Sequence, residues 1–101
     1  MTREEQIALA QRIAQALPEV TRNEWMRWLQ MAESYGLEKA IQYAERVARD
    51  ITVRPAIQRS NRLIAKIMRD YKHVFRNVPP DEQRWILGWV SWWLSINYSG
   101  V

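Results

Sequence analysis

Two short polar segments, TREE at residues 2–5 and TRNE at residues 21–24, restrict this chain to helical folds more than any other feature. In each, a threonine precedes a glutamate by three residues, which is the capping-box spacing. The threonine hydroxyl accepts from the backbone N–H of the glutamate, and the carboxylate accepts from the backbone N–H of the threonine. Val20 and Trp25 also stand at the positions of a hydrophobic staple around the second segment. The sequence therefore predicts a helix start at each segment.

Helix-breaking residues divide the rest of the chain into similar lengths. Pro18 and Gly36 stand at predicted helix ends, and Pro55 and Pro80 at predicted starts. Apolar residues recur at helical spacing in between, and no run alternates apolar and polar residues. We expect an all-α fold, a compact bundle of about five helices in one domain over residues 1–101. The predicted helices span about residues 3–17, 22–35, 38–50, 55–76 and 80–97, and the second would bury Trp25, Trp28, Leu29, Ala32 and Tyr35.

Few residues offer catalytic or metal-binding chemistry. The chain has no cysteine, which excludes disulfides, thiolate zinc sites and cysteine nucleophiles. Its one histidine, His73, has no second ligand at metal-binding spacing. Asp81 and Glu82 are better explained as first-turn acids of a helix than as an acid–base pair, and phosphate-loop and nucleophile motifs are absent. We therefore expect a protein that is not an enzyme and holds no metal or cofactor.

The N-terminal residues are charged where a secretory signal would be apolar, so we expect a cytoplasmic protein.

Positive charge is concentrated in the fourth predicted helix. Between residues 49 and 76, eight Lys and Arg residues against two acids give +6, while the whole chain carries +4. On a helical wheel one face of this helix carries, at spacings of three and four, Arg59, Arg62, Lys66, Arg69, His73 and Arg76, with Lys72 on its flank. Like charges at this spacing repel. A face of one sign therefore indicates a polyanionic partner.

Nucleic acid is the partner that this face fits best. Lys and Arg neutralise backbone phosphates, so binding would be independent of base sequence and weakened by salt. An acidic protein partner and an ordinary charged surface are the alternatives. A helix-turn-helix reader ranks lower, because the third helix mixes acids with bases. The candidate nucleic-acid-binding residues on this face are Arg59, Arg62, Lys66, Arg69, Lys72, His73 and Arg76.

The last predicted helix is unusually apolar. Four tryptophans fall within nine residues, and residues 85–101 carry no charge. This stretch is shorter than the about 20 apolar residues that a bilayer span needs, and glycines and serines interrupt it, so we expect no membrane contact. A bundle of this size covers only part of such a helix. Packing in the core, contact with another subunit and base stacking are the alternatives. The candidate subunit-interface residues are Trp85, Trp89, Trp92 and Trp93.

A small, cysteine-free helical chain with one basic face and one aromatic face resembles the small, non-catalytic subunits of CRISPR effector complexes, those of Cascade and of the type III complexes. The segments that carry the resemblance are YGLEKAIQYAERVARD at residues 35–50 and RPAIQRSNRLIAKIMRDYKHVFR at residues 54–76. It also resembles the helical C-terminal domain of certain large subunits, which some systems make separately.

The resemblance implies several copies stacked along a ribonucleoprotein. Their basic faces would support the guide–target duplex or the displaced strand through backbone contacts, without cleavage. The resemblance implies Arg54, at the start of the fourth helix, as an additional phosphate-binding and nucleic-acid-binding residue.

Overall fold

The computed structural model describes residues 1–99, with side chains for residues 1–96, and that part of the chain contains five α-helices and no strand. The all-α prediction is confirmed. The predicted helix ends lie within two residues of the observed ones; α5 continues two residues past the predicted end at Asn97. The helices are α1 (Arg3–Gln15), α2 (Arg22–Tyr35), α3 (Leu37–Arg49), α4 (Pro55–Phe75) and α5 (Pro80–Ser99).

The two predicted capping boxes form to different extents. At Thr2 both bonds are present: Glu5 N donates to Thr2 Oγ1 at 3.1 Å, and Thr2 N donates to Glu5 Oε1 at 3.0 Å. At Thr21 the hydroxyl accepts from Glu24 N at 3.2 Å, but the Glu24 carboxylate accepts instead from Asn61 Nδ2 at 3.3 Å. A tertiary contact with α4 therefore replaces half of the second box.

The bundle consists of two packed pairs with α2 between them. α3 packs along α4, α1 packs along α5, and α2 contacts α3, α5 and α4. Two buried tryptophans of α2 join the pairs. Trp25 Nε1 donates to the carbonyl of Leu87 in α5 at 3.3 Å, and Trp28 Nε1 donates to that of Ala40 in α3 at 2.9 Å. These bonds satisfy both indole N–H groups inside the core, where an unpaired donor would be costly.

The sequence predicted that Tyr35 would be buried, but the structure leaves it exposed. It is the last residue of α2, and the residue is 61% exposed. The chain turns at Gly36, where φ is +92° and ψ is 164°, a conformation that is essentially restricted to glycine. The turn ends the helix beyond the core, so the Tyr35 ring remains at the surface.

Candidate nucleic-acid interface

The predicted basic residues lie together on the outer surface of α4. Arg54 precedes the helix as its N-cap, and Pro55 occupies the first helical turn. Lys72 is half-buried, and the others are exposed. At 1.5 Å per residue the helix spans roughly 30 Å. We call this surface the α4 basic face; it comprises Arg54, Arg59, Arg62, Lys66, Arg69, Lys72, His73 and Arg76.

α3 and α4 run antiparallel, and their contacts show the register. Arg62 lies beside Ala48, Arg69 beside Glu45, and Lys72 beside Glu38, so numbers rise on one helix as they fall on the other. The five-residue connection is held by Asp50, whose carboxylate accepts from Thr52 N at 2.9 Å and Thr52 Oγ1 at 2.6 Å. These hydrogen bonds from Thr52 lower the pKa of Asp50.

Two acids of α3 enter one flank of the α4 basic face. Arg69 Nη2 lies 2.9 Å from Glu45 Oε1, and Arg69 Nη1 lies 3.9 Å from Glu38 Oε1. Lys72 Nζ contacts Glu38 Oε2. The hydrogen bond from Lys72 is the main cause of the lowered pKa of Glu38, and the charges of Lys72 and Arg69 add to it. Part of the like-charge repulsion inferred from the sequence is therefore relieved by α3.

Arg62 is anchored in a different way. Its Nη2 donates to the backbone oxygen of Ala48 at 3.3 Å, in the last turn of α3. Carbonyl groups at a helix C-terminus carry partial negative charge and favour a cation. The contact uses one donor of a guanidinium that has five, and the side chain remains exposed.

The remaining cations of the face have no acidic partner. Arg54, Arg59, Lys66 and Arg76 form no ion pair with any acid that the structure describes. These exposed side chains are free to contact an external anion.

A groove between α3 and α4 adds a cation that the sequence analysis left out of the site. Arg49 of α3 lines this groove with Arg62, Lys66 and Arg69, and Glu45 and two alanines complete its walls. Arg49 precedes the start of the α4 basic face, Arg54, by five residues. The chain then reverses direction, so that Arg62 of α4 lines the same groove as Arg49. The charge count for residues 49–76 includes Arg49, but only the tertiary structure places it in the groove.

The four predicted interface tryptophans lie along one side of α5. The buried side of this helix is formed by Ile86, Leu87, Val90, Ser91 and Leu94. The tryptophans meet edge to face, with ring centroids 5.8 Å apart for Trp85 and Trp89, 5.2 Å for Trp89 and Trp92, and 5.0 Å for Trp92 and Trp93. We call these four residues the tryptophan strip.

The outer part of the tryptophan strip faces solvent. Trp92 is 48% exposed and Ile96, one turn further along α5, is 40% exposed, while Trp85, Trp89 and Trp93 are half-buried. At the other end, the Arg3 guanidinium lies 4.1 Å above the Trp85 ring, a cation–π contact that covers part of it. The core of a single copy therefore covers this strip only in part.

The structure keeps the two predicted surfaces apart. The tryptophan strip lies on α5, which packs on α1 and α2, whereas the α4 basic face lies on the helix that packs on α3. The cations of the α4 basic face are thus not interleaved with the tryptophans, and the cations beside the strip are Arg3 and Arg84.

Neither a metal cluster nor a membrane span is present in the described part of the chain. No three His, Asp or Glu side chains among residues 1–96 are placed to hold a metal ion. None of the five helices, as far as the structure describes them, is long and apolar enough to cross a bilayer.

Comparison with known proteins gives no relative: no protein-family model, curated protein or solved structure matches this chain.

Proposed function

We propose that this protein binds nucleic acid through the α4 basic face, by contacts with backbone phosphates and without catalysis. The observation that carries the proposal is the set of exposed cations without an acidic partner, Arg54, Arg59, Lys66 and Arg76, on a helix of about 30 Å. Each can neutralise a phosphate and release condensed counterions. Arg62 adds a guanidinium that can bind phosphate oxygens with two hydrogen bonds.

A salt titration with charge-reversed variants tests this proposal. Arg59→Glu with Lys66→Glu reverses two cations that make no ion pair in the described structure, so the fold should persist. Arg12→Glu with Arg22→Glu is the matched control, because it makes the same change in net charge at exposed positions of α1 and α2. We expect the first variant to lose binding to labelled oligonucleotides and the control to retain it.

The dependence on salt distinguishes this surface from other modes of binding. The affinity of the wild type should fall steeply as salt rises, and the slope should be shallower in the Arg59→Glu, Lys66→Glu variant. A wild type with no affinity, or an equal loss in both variants, would contradict the proposal.

The role of the protein in a larger assembly is a second part of the proposal. The resemblance to CRISPR small subunits rests on helical architecture and on the basic helix, and no family match supports it. The half-exposed tryptophan strip favours a neighbouring subunit, because aromatic residues are enriched at the centres of protein interfaces. We therefore propose an accessory subunit of a ribonucleoprotein, CRISPR effector complexes being the specific case, with the strip in contact with another copy or another subunit.

Sedimentation tests the contact between copies, and identification of co-purifying chains and nucleic acid tests the rest. Trp92→Glu places a charge at the most exposed tryptophan and should abolish self-association while the monomer remains folded. A wild type that is monomeric at all concentrations would exclude contact between copies. Purification of the native protein without nucleic acid or other subunits would argue against the ribonucleoprotein.

An acidic protein partner is the alternative for the α4 basic face. The pairing of Arg69 with Glu38 and Glu45 shows that carboxylates fit this surface. An acidic peptide that binds more tightly than an oligonucleotide of equal charge, in the same salt, would favour this alternative.

A further inference from the structure

Tyr35 lies at the rim of a second groove, on the side of α3 away from α4. This groove runs between α2 and α3, and its walls include Met31, Tyr35, Lys39, Arg46 and Arg49. Lys39, Arg46 and Arg49 are exposed, and none of them pairs with an acid of the described structure. The Tyr35 ring is therefore an aromatic surface open to solvent beside three free cations.

This groove is continuous with the α3–α4 groove. Arg49 and Glu45 line both, so the two grooves meet across the C-terminal half of α3. Glu45 is the acid at this junction, and Arg69 lies 2.9 Å from its Oε1. Arg69 thus offsets the negative charge at the crossing, and cations continue on both sides of it.

The backbone holds Tyr35 in place. It stands between two helices, and Gly36 donates to Ala32 O at 2.9 Å and accepts from Ala40 N at 3.1 Å. These bonds fix the position of the Tyr35 Cα between α2 and α3. The tyrosine side chain has only two torsions to restrict, so a ligand that stacks on its ring costs little conformational freedom.

We propose that a single strand of nucleic acid crosses α3 from the α3–α4 groove and stacks a base on Tyr35. The inference rests on the proposed function and adds the class of ligand. Sites for single strands combine a positively charged groove with aromatic side chains on which bases stack. The one aromatic ring among the members of the α4 basic face is the small imidazole of His73, whereas Tyr35 supplies a larger ring in a groove that Lys39, Arg46 and Arg49 also line. A duplex keeps its bases stacked inside and cannot offer one to the ring.

The test compares three labelled ligands by fluorescence anisotropy: a single-stranded homopolymer, a duplex of the same length, and polyphosphate, which has no bases. Tyr35→Ala should weaken binding of the single strand about tenfold or more. It should leave binding of the duplex and of polyphosphate unchanged. Tyr35→Phe keeps an aromatic ring without the hydroxyl and should bind all three ligands as the wild type does. Circular dichroism melts of both variants verify that the fold is intact.

The outcomes separate this inference from the proposed function. If the wild type binds the single strand and Tyr35→Ala binds it equally well, stacking is excluded while binding by the α4 basic face stands. If Tyr35→Phe loses as much affinity as Tyr35→Ala, the hydroxyl and not the ring makes the contact, and the inference fails. If Tyr35→Ala loses affinity for all three ligands alike, base stacking is again excluded. If the wild type binds none of them, the proposed function fails first.

Discussion

Glu45 Oε1 accepts from Arg69 Nη2 at 2.9 Å, and this pair places an acid of α3 among the cations of the α3–α4 groove. The two residues are 24 positions apart in the sequence. Both side chains are more than a third exposed, Arg69 at 43% and Glu45 at 38%. An exposed pair of this kind contributes at most about 1 kcal/mol to stability. Its larger effect is on charge, because Glu45 cancels part of the positive potential of the groove.

Glu45→Gln should therefore strengthen nucleic-acid binding. It frees Arg69 for a phosphate, so the slope of log affinity against log salt should steepen by about 0.7 for a single strand and about 0.9 for a duplex. Glu19→Gln is the control, because it removes an exposed acid from the turn after α1. Equal slopes in wild type and Glu45→Gln would contradict the gain of a phosphate contact by Arg69.

Acid should weaken the α3–α4 contact through Glu38. The hydrogen bond from Lys72 holds the pKa of Glu38 below its ordinary value of 4.5. The ionised form is thus favoured in the folded state, and its contribution to stability is complete above pH 4.5 and is lost as the pH falls through the lowered pKa. We expect the melting temperature to fall in that range.

Lys72→Met tests the origin of this acid sensitivity. Without the ammonium group the pKa of Glu38 should return towards its ordinary value, and the melting temperature should change less with pH than in the wild type. Lys39→Met, which removes an exposed lysine of α3, is the control. A pH profile that is unchanged in Lys72→Met would contradict the assignment.

Alanine substitutions at two tryptophans should differ widely in their effect on stability. Trp28 is fully buried and donates to Ala40 O, so Trp28→Ala should lower the free energy of unfolding by about 3–5 kcal/mol. Trp92 is 48% exposed, and Trp92→Ala in the monomer should cost less than half of that. Urea unfolding measures both. Similar losses would show that the tryptophan strip belongs to the core of one copy.

Two glycine-to-alanine substitutions should change stability in opposite directions. Gly36 has a φ of +92°, which strains any residue with a Cβ, so Gly36→Ala should destabilise by about 1–3 kcal/mol. Gly88 lies inside α5, and apart from its chain neighbours and the adjacent helix backbone no atom of the described structure lies within 4 Å of an added Cβ. Alanine there should raise the free energy of unfolding by about 0.5–1 kcal/mol. A stabilised Gly36→Ala variant would contradict the account of the α2–α3 turn.

The helix boundaries could be predicted because their signals are local. Thr2 accepts from Glu5 N three residues later, and Pro55 occupies the first turn of α4. Glycine is the residue type that adopts the backbone conformation found at Gly36 in the α2–α3 turn. Hydrophobic periodicity at 3.6 residues then indicates which side of each helix is buried. Periodicity wrongly predicted a buried Tyr35, because α2 ends at that residue. The spacing of apolar residues along one helix carries no information on where the neighbouring helices end.

The sequence by itself determined the five helices, the basic face of α4 and the excess of tryptophan on α5, since each depends on spacing within one helix. Only the tertiary structure decided which charges are free. Glu38 and Glu45 reach Arg69 and Lys72 because α3 packs antiparallel to α4, and the same packing brings Arg49 beside Arg62. The ion pairs join residues 24 or more positions apart, and their register is set by how the helix surfaces fit together, which a pattern along one helix does not contain.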